Sequence, residues 1–106
     1  MKAVFITYNQ ALTDRLAYML DQLEIKGYTK FPLTYGRGTH FGEEVEGVKE
    51  GEPRLASHAW PEMNSSLITI VEDHKVPVLL KYIDKLDHVN LQNGIRAFVW
   101  NIDQMY

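Results

Sequence analysis

The sequence contains no cysteine among its 106 residues. Disulfide bonds, thiolate zinc sites and thiol catalysis are therefore excluded. It also has no cluster of lysine and arginine, and its net charge is -3. Because binding to duplex nucleic acid needs a basic surface, we expect no nucleic-acid partner. No apolar run approaches the roughly 20 residues of a membrane-spanning helix. No signal peptide precedes the first apolar segment, so we expect a cytoplasmic protein.

Two apolar patterns alternate along the chain. After Asn9 and again after Asp73, apolar residues recur three or four positions apart, which predicts two amphipathic helices. Four segments of β-forming residues accompany them: Met1–Tyr8, Tyr28–Tyr35, Ser65–Val71 and Ile95–Ile102. The order β-α-β-β-α-β predicts a single α+β domain over residues 1–106 with a ferredoxin-like βαββαβ fold.

Glycine and proline mark the second of these strands. Gly27 stands just before it and is expected to end the first helix as a left-handed C′ residue. Pro32 lies inside it and lacks a backbone N–H, which favours an edge strand or a β-bulge.

The predicted strands are apolar on both sides. Two helices cover only one face of a four-stranded sheet. The uncovered face is expected to hold one member of each of three pairs: Phe5 or Val4, Ile68 or Leu67, and Phe98 or Ile95. Alternation alone does not say which member. Since the chain has no third layer for this face, we expect an oligomer.

The connection between the second and third strands is unusually long. Residues 31–61 hold five of the seven glycines and a run of glutamates, without apolar periodicity. Connections of this length in small domains are uncommon, and they are usually either functional or disordered.

Four motifs resemble the PII superfamily, the trimeric nitrogen-regulatory signal proteins and their PII-like relatives. KGYT at 26–29 leads to YGRG at 35–38, similar to the entrance of the family's long T-loop. LITIVED at 67–73 is similar to its strand ending in V-E-D, and GIRAFV at 94–99 to its closing strand. The resemblance implies a homotrimer with a T-loop-like connection and a ligand cleft between subunits. It also implies a regulatory role, in which the long loop acts on a protein partner such as a membrane transporter.

One turn departs from this pattern. Nucleotide-binding members carry a glycine- and lysine-rich turn before the last strand, whereas NLQNG at 90–94 has one glycine and no lysine. No tyrosine stands in the middle of the long connection, where classical members are modified. ATP sensing and nucleotidylation are therefore not implied, and the sequence identifies neither the small ligand nor any cofactor.

Six residues are candidates for the ligand site. The glycines around Arg37 free backbone amides, and its guanidinium adds a fork of donors, so this triplet suits an anion. An ordinary flexible turn is the alternative interpretation. The resemblance to the PII superfamily implies that the turn before the last strand and the start of that strand line the same cleft. The candidates are Gly36, Arg37, Gly38, Asn93, Gly94 and Arg96.

Two histidines bracket the run of glutamates. Imidazole with carboxylate suits zinc, nickel or copper, so His40 and His58 are candidate metal ligands. A divalent-metal-binding or metal-tolerance protein of CutA-like type is accordingly the alternative function. Their spacing matches no standard metal motif, and two solvated histidines are the competing interpretation. No nucleophile signature or acid pair is evident, and we expect the protein not to be an enzyme.

Overall fold

The computed structural model describes residues 1–36, 62–89 and 94–106. Its strands are β1 (Lys2–Asn9), β2 (Tyr28–Gly36), β3 (Glu62–Val71) and β4 (Arg96–Asn101), and its helices are α1 (Thr13–Gln22) and α2 (Val76–Val89). Each helix follows a single 3₁₀ turn, Gln10–Leu12 before α1 and Asp73–Lys75 before α2. The predicted ferredoxin-like α+β fold is confirmed.

The four strands form one sheet in the order β2-β3-β1-β4. Every neighbouring pair is antiparallel. β1 and β2 therefore run parallel to each other, with β3 between them, and β3 and β4 run parallel with β1 between them. Each helix crosses over an intervening strand, which is the split βαβ arrangement.

The core lies between the helices and one face of the sheet. Alternate residues of β1 and β3 pack there against the apolar stripes of both helices. The buried set includes Val4, Ile6, Tyr8, Leu16, Leu20, Leu67, Val71, Leu79, Ile83 and Ile95. This burial decides between the two members of each pair that the sequence left undecided. Val4, Leu67 and Ile95 point to the helices, so Phe5, Ile68 and Phe98 lie on the other face.

The prediction that Gly27 ends the first helix is wrong. α1 ends at Gln22, and the left-handed residue is Glu24, with φ 57°. The N–H of Glu24 donates to the carbonyl of Asp21, and the N–H of Ile25 donates to that of Leu20. These two bonds form a Schellman motif with Glu24 at C′, and Ile25 and Leu20 are both buried beside it.

Glutamate at this left-handed position costs stability, because a Cβ crowds the backbone there. We expect Glu24→Gly to raise the free energy of unfolding by about 0.5–1 kcal/mol, measured by urea denaturation. The control is Gln22→Gly, where the backbone is helical and glycine is expected to lower stability by about 1 kcal/mol. Destabilisation by both substitutions would contradict the assignment of Glu24 as the helix cap.

Pro32 lies on the edge strand β2, and the strand bulges there. Phe31 pairs with Ser66 and Thr34 pairs with Asn64, so two residues, Pro32 and Leu33, oppose the single residue Ser65. Both features expected from Pro32 are present. The bulge also breaks the simple alternation of β2, since Phe31 and Thr34 fall on the same face.

Candidate functional site

The face of the sheet opposite the helices, here called the open face, carries no helix of the described residues. β1 contributes Ala3, Phe5, Thr7 and Asn9, β3 contributes Asn64, Ser66, Ile68 and Ile70, β4 contributes Arg96, Phe98 and Trp100, and β2 contributes Thr29, Phe31 and Thr34. Residues directly opposite one another on neighbouring strands form rows across this face. These rows differ in character from one end of the sheet to the other.

The two rows nearest the start of β1 are largely apolar. One runs through Thr29, Ile68, Phe5 and Phe98, and the other through Ile70, Ala3 and Trp100. Phe98 is 54% exposed and Trp100 is 46% exposed. Contiguous exposed apolar residues of this size mark interaction surfaces in soluble proteins.

The two rows at the other end are largely polar. One runs through Phe31, Ser66, Thr7 and Arg96, and the other through Thr34, Asn64 and Asn9. This is the loop end of the sheet, where β2 ends and where β3 and β4 begin. Hydroxyl and amide groups with a single guanidinium suit a small polar or anionic ligand.

Three of the six candidate ligand residues lie at the loop end. Gly36 ends β2 and pairs with Glu62, while Arg96 begins β4 and pairs with Thr7. Gly94 lies just before β4 and is exposed. Arg37, Gly38 and Asn93 lie outside the described residues, as do the candidate metal ligands His40 and His58, and these assignments stay predictions.

Gly36 and Arg96 belong to opposite edges of the sheet. β3 and β1 separate them, and three strand spacings of about 4.8 Å amount to roughly 14 Å. A ligand of only a few atoms does not span that distance within one chain. For such a ligand, a site that uses both residues needs a second copy of the chain, with the β4 edge of one copy near the β2 edge of another.

A partly buried polar network underlies the loop end on the helix side. The Ser65 hydroxyl donates to the Pro32 carbonyl at 2.7 Å, and the Gln10 side-chain amide donates to the same oxygen at 3.0 Å. Thr13 Oγ1 donates to the Gln10 carbonyl at 2.7 Å. The network thus connects the start of α1 with the bulge of β2.

Tyr8 completes this network from the central strand. Burial raises the pKa of its hydroxyl, and the nearby Tyr28 raises it as well, while hydrogen bonds with Ser65 and Thr13 act in the opposite direction. The net effect is a raised pKa, so the hydroxyl stays protonated well above neutral pH. Tyr8 therefore acts as a neutral hydrogen-bonding group within the core.

A small pocket lies at the opposite end of the sheet. It has a volume of about 190 Å³ and is lined by Glu24, Gly27, Ile70, Glu72 and Lys75, among others. This volume lies below the ~300 Å³ at which ligand pockets begin. No pattern in the sequence predicts this pocket, although Lys26 and Gly27 of the KGYT motif line it.

The described residues give no support for a metal site. Among them, no three histidine or acidic side chains converge. His74 Nδ1 lies 3.3 Å from Glu72 Oε2, but this is a single exposed pair. Neither helix in the same ranges is both long and apolar enough to cross a membrane.

The polar rows were not predicted from the sequence. Thr7 and Ser66 interrupt strands that are otherwise apolar, and that interruption was the available signal. It became interpretable only with the strand register, which places both residues in one row with Arg96.

Comparison with solved structures adds to this geometry. A candidate PII-like signalling protein from Thermus thermophilus is 27% identical, with a TM-score of 0.58 over 95% of this chain and 85% of that one. The chain is structurally related to the PII-like signalling proteins. The predicted resemblance is thereby confirmed at the level of the superfamily.

Two further structures share the PII-like fold. CPII of Thiomonas intermedia K12, a nitrogen regulatory PII-like protein bound to ADP, AMP and bicarbonate, is 16% identical, with a TM-score of 0.63. The match covers 99% of this chain and 94% of CPII. A protein of unknown function from Pediococcus pentosaceus ATCC 25745 is also 16% identical, with a TM-score of 0.67 and the same two coverages. No family model matches the sequence, and no curated protein is similar to it in sequence.

Proposed function

We propose that the protein is a PII-like regulatory protein that binds a small ligand between subunits of a homotrimer. The observation that carries the proposal is the placement of Gly36 and Arg96 on opposite edges of the loop end. The PII-like fold supplies the context, because CPII is a regulatory protein with small bound ligands. The role is regulatory rather than catalytic.

The open face supports the trimer. Its apolar rows present two aromatic side chains, Phe98 and Trp100, that are about half exposed in the single chain. Burying such side chains against a second copy is favourable by about 25 cal/mol per Å² of apolar surface. The polar rows, at the loop end of the same face, are then left to line the cleft.

The ligand proposed for the cleft is small and anionic. Arg96 is an exposed cation on the polar rows, beside hydroxyl and amide groups. The turn at 90–94 has one glycine and no lysine, so we expect ADP and ATP to bind more weakly than micromolar. The connection over residues 37–61 is the segment proposed to contact a protein partner, such as a transporter.

The test is binding of ADP, AMP, ATP and bicarbonate, singly and in pairs, to the full chain, measured by calorimetry and thermal shift. Any ligand that binds the native state alone raises the melting temperature. We expect Arg96→Ala to weaken binding of the best ligand by roughly 10- to 100-fold, because it removes a charge-assisted hydrogen bond. Arg15→Ala is the matched control, since Arg15 is exposed on α1.

Two results would contradict the proposal in different ways. If ATP binds at micromolar concentration and Arg37→Ala abolishes this binding, the expectation of weak nucleotide binding is wrong. The protein would then have the ATP-binding role of the classical family members. Equal effects of Arg96→Ala and Arg15→Ala would remove Arg96 from the site.

A further inference from the structure

The bulge in β2 determines which residues reach the open face at the loop end. Before the bulge, Phe31 lies on the open face opposite Ser66. After it, Thr34 pairs with Asn64 and Gly36 with Glu62, so the register places both on that face. Without the extra residue, Leu33 and Tyr35 would take those positions and Gly36 would turn towards the helix side.

Two side chains from other elements hold the bulge. The Pro32 carbonyl accepts from Ser65 Oγ at 2.7 Å and from Gln10 Nε2 at 3.0 Å. Ser65 is only 2% exposed, so its hydroxyl needs a protein partner at this position. Both donors meet the carbonyl of a residue that has no N–H to contribute to the strand pairing.

We propose that Ser65 and Gln10 are positioning residues for the ligand site. They hold β2 in the bulged register, and this register presents Thr34 and Gly36 on the open face at the end where β4 begins with Arg96. Gln10 belongs to the 3₁₀ turn that follows β1, so the start of α1 and the exit of β2 are fixed to each other. The consequence for ligand binding rests on the proposed function, whereas the consequence for the register does not.

The first measurement is made on the full chain without ligand. Ser65→Ala and Gln10→Ala are compared with the parent by amide hydrogen exchange and by nuclear Overhauser contacts across β2 and β3. We expect the amides of Leu33, Thr34 and Tyr35 to exchange about tenfold faster, because each variant removes one bond to the bulge carbonyl. We also expect the contact between Thr34 and Asn64 to weaken, with a contact between Leu33 and Asn64 replacing it.

Two matched controls separate this effect from general destabilisation. Thr69 of β3 is equally buried, at 2% exposed, but its hydroxyl donates to the Gly27 carbonyl at 2.7 Å, at the other end of β2 from the bulge. Gln22 is exposed at the end of α1, one helix length away from Gln10. Thr69→Val and Gln22→Ala are therefore expected to keep the parent contact between Thr34 and Asn64.

The second measurement is an ADP titration followed by amide chemical shifts, which detects weak binding. We expect Ser65→Ala and Gln10→Ala to weaken ADP binding by about tenfold and both controls to change it by less than about threefold. An unchanged register in Ser65→Ala and Gln10→Ala would overturn the positioning proposal. If the register shifts but the parent binds none of ADP, AMP, ATP and bicarbonate, the positioning of β2 stands and the small-ligand function loses its support.

Discussion

Replacing Phe98 by glutamate is expected to convert the proposed trimer into a monomer of 12.3 kDa. Phe98 lies in the middle of the open face, opposite Phe5, and more than half of its side chain is exposed in the single chain. A carboxylate there is solvated in the monomer, but in an interface it is buried without a partner. Burial of an unpaired charge opposes association strongly. Light scattering coupled to size-exclusion chromatography measures the change directly.

The control for this substitution is Tyr18→Glu. Tyr18 is an exposed aromatic residue on α1, on the helix side of the molecule. It is expected to leave the mass of the assembly unchanged. A parent protein that is already monomeric at micromolar concentration would contradict the trimer, and equal dissociation by both variants would place the interface elsewhere.

Leu79→Ala is expected to have the largest effect on stability, about 2–5 kcal/mol lower free energy of unfolding. Leu79 is completely buried in α2, so the truncation leaves a cavity under the sheet. Leu80, its neighbour, is 38% exposed, and Leu80→Ala is expected to change stability by about 0.5 kcal/mol or less. Urea denaturation of the two variants, each against the parent, gives both values.

A similar loss in Leu79→Ala and Leu80→Ala would mean that the exposed side of α2 is covered in the assembled protein. Repeating the measurement in the monomeric Phe98→Glu background decides this point. If Leu80→Ala is then neutral, the helix side takes part in assembly. If the loss persists in the monomer, the burial of α2 differs from that described.

The order of the elements was predictable because each helix and strand carries its own apolar period. The sequence did not predict which faces of β1, β3 and β4 are covered, since both alternating sets are apolar. Burial of Val4 and exposure of Phe98 depend on which set meets the helices, and that is a property of the whole sheet. Glu24 was missed for a different reason, because its left-handed backbone is imposed by the hydrogen bonds that close α1.

The candidate site was predictable only in part. The resemblance of the motifs identified Gly36 and Arg96 as candidates. That they lie on opposite edges of the sheet became known only from the strand order. Pro32 predicted the bulge, but not its stabilisation by Gln10 and Ser65. These two residues lie 22 and 33 positions away from Pro32 in the chain. Local sequence patterns contain no information on such distant hydrogen bonds.

The central position of β1 has a consequence for biosynthesis. Its first residue, Lys2, pairs with Val71 on one side and with Asn101 on the other. Of these four strands β1 is synthesised first, and its hydrogen bonds are complete only after β3 and then β4 have been made. Pairings so distant in the chain form late and slowly. During that interval an apolar strand stays unpaired on both edges, and we expect the nascent chain to depend on chaperones more than a helical protein of the same length does.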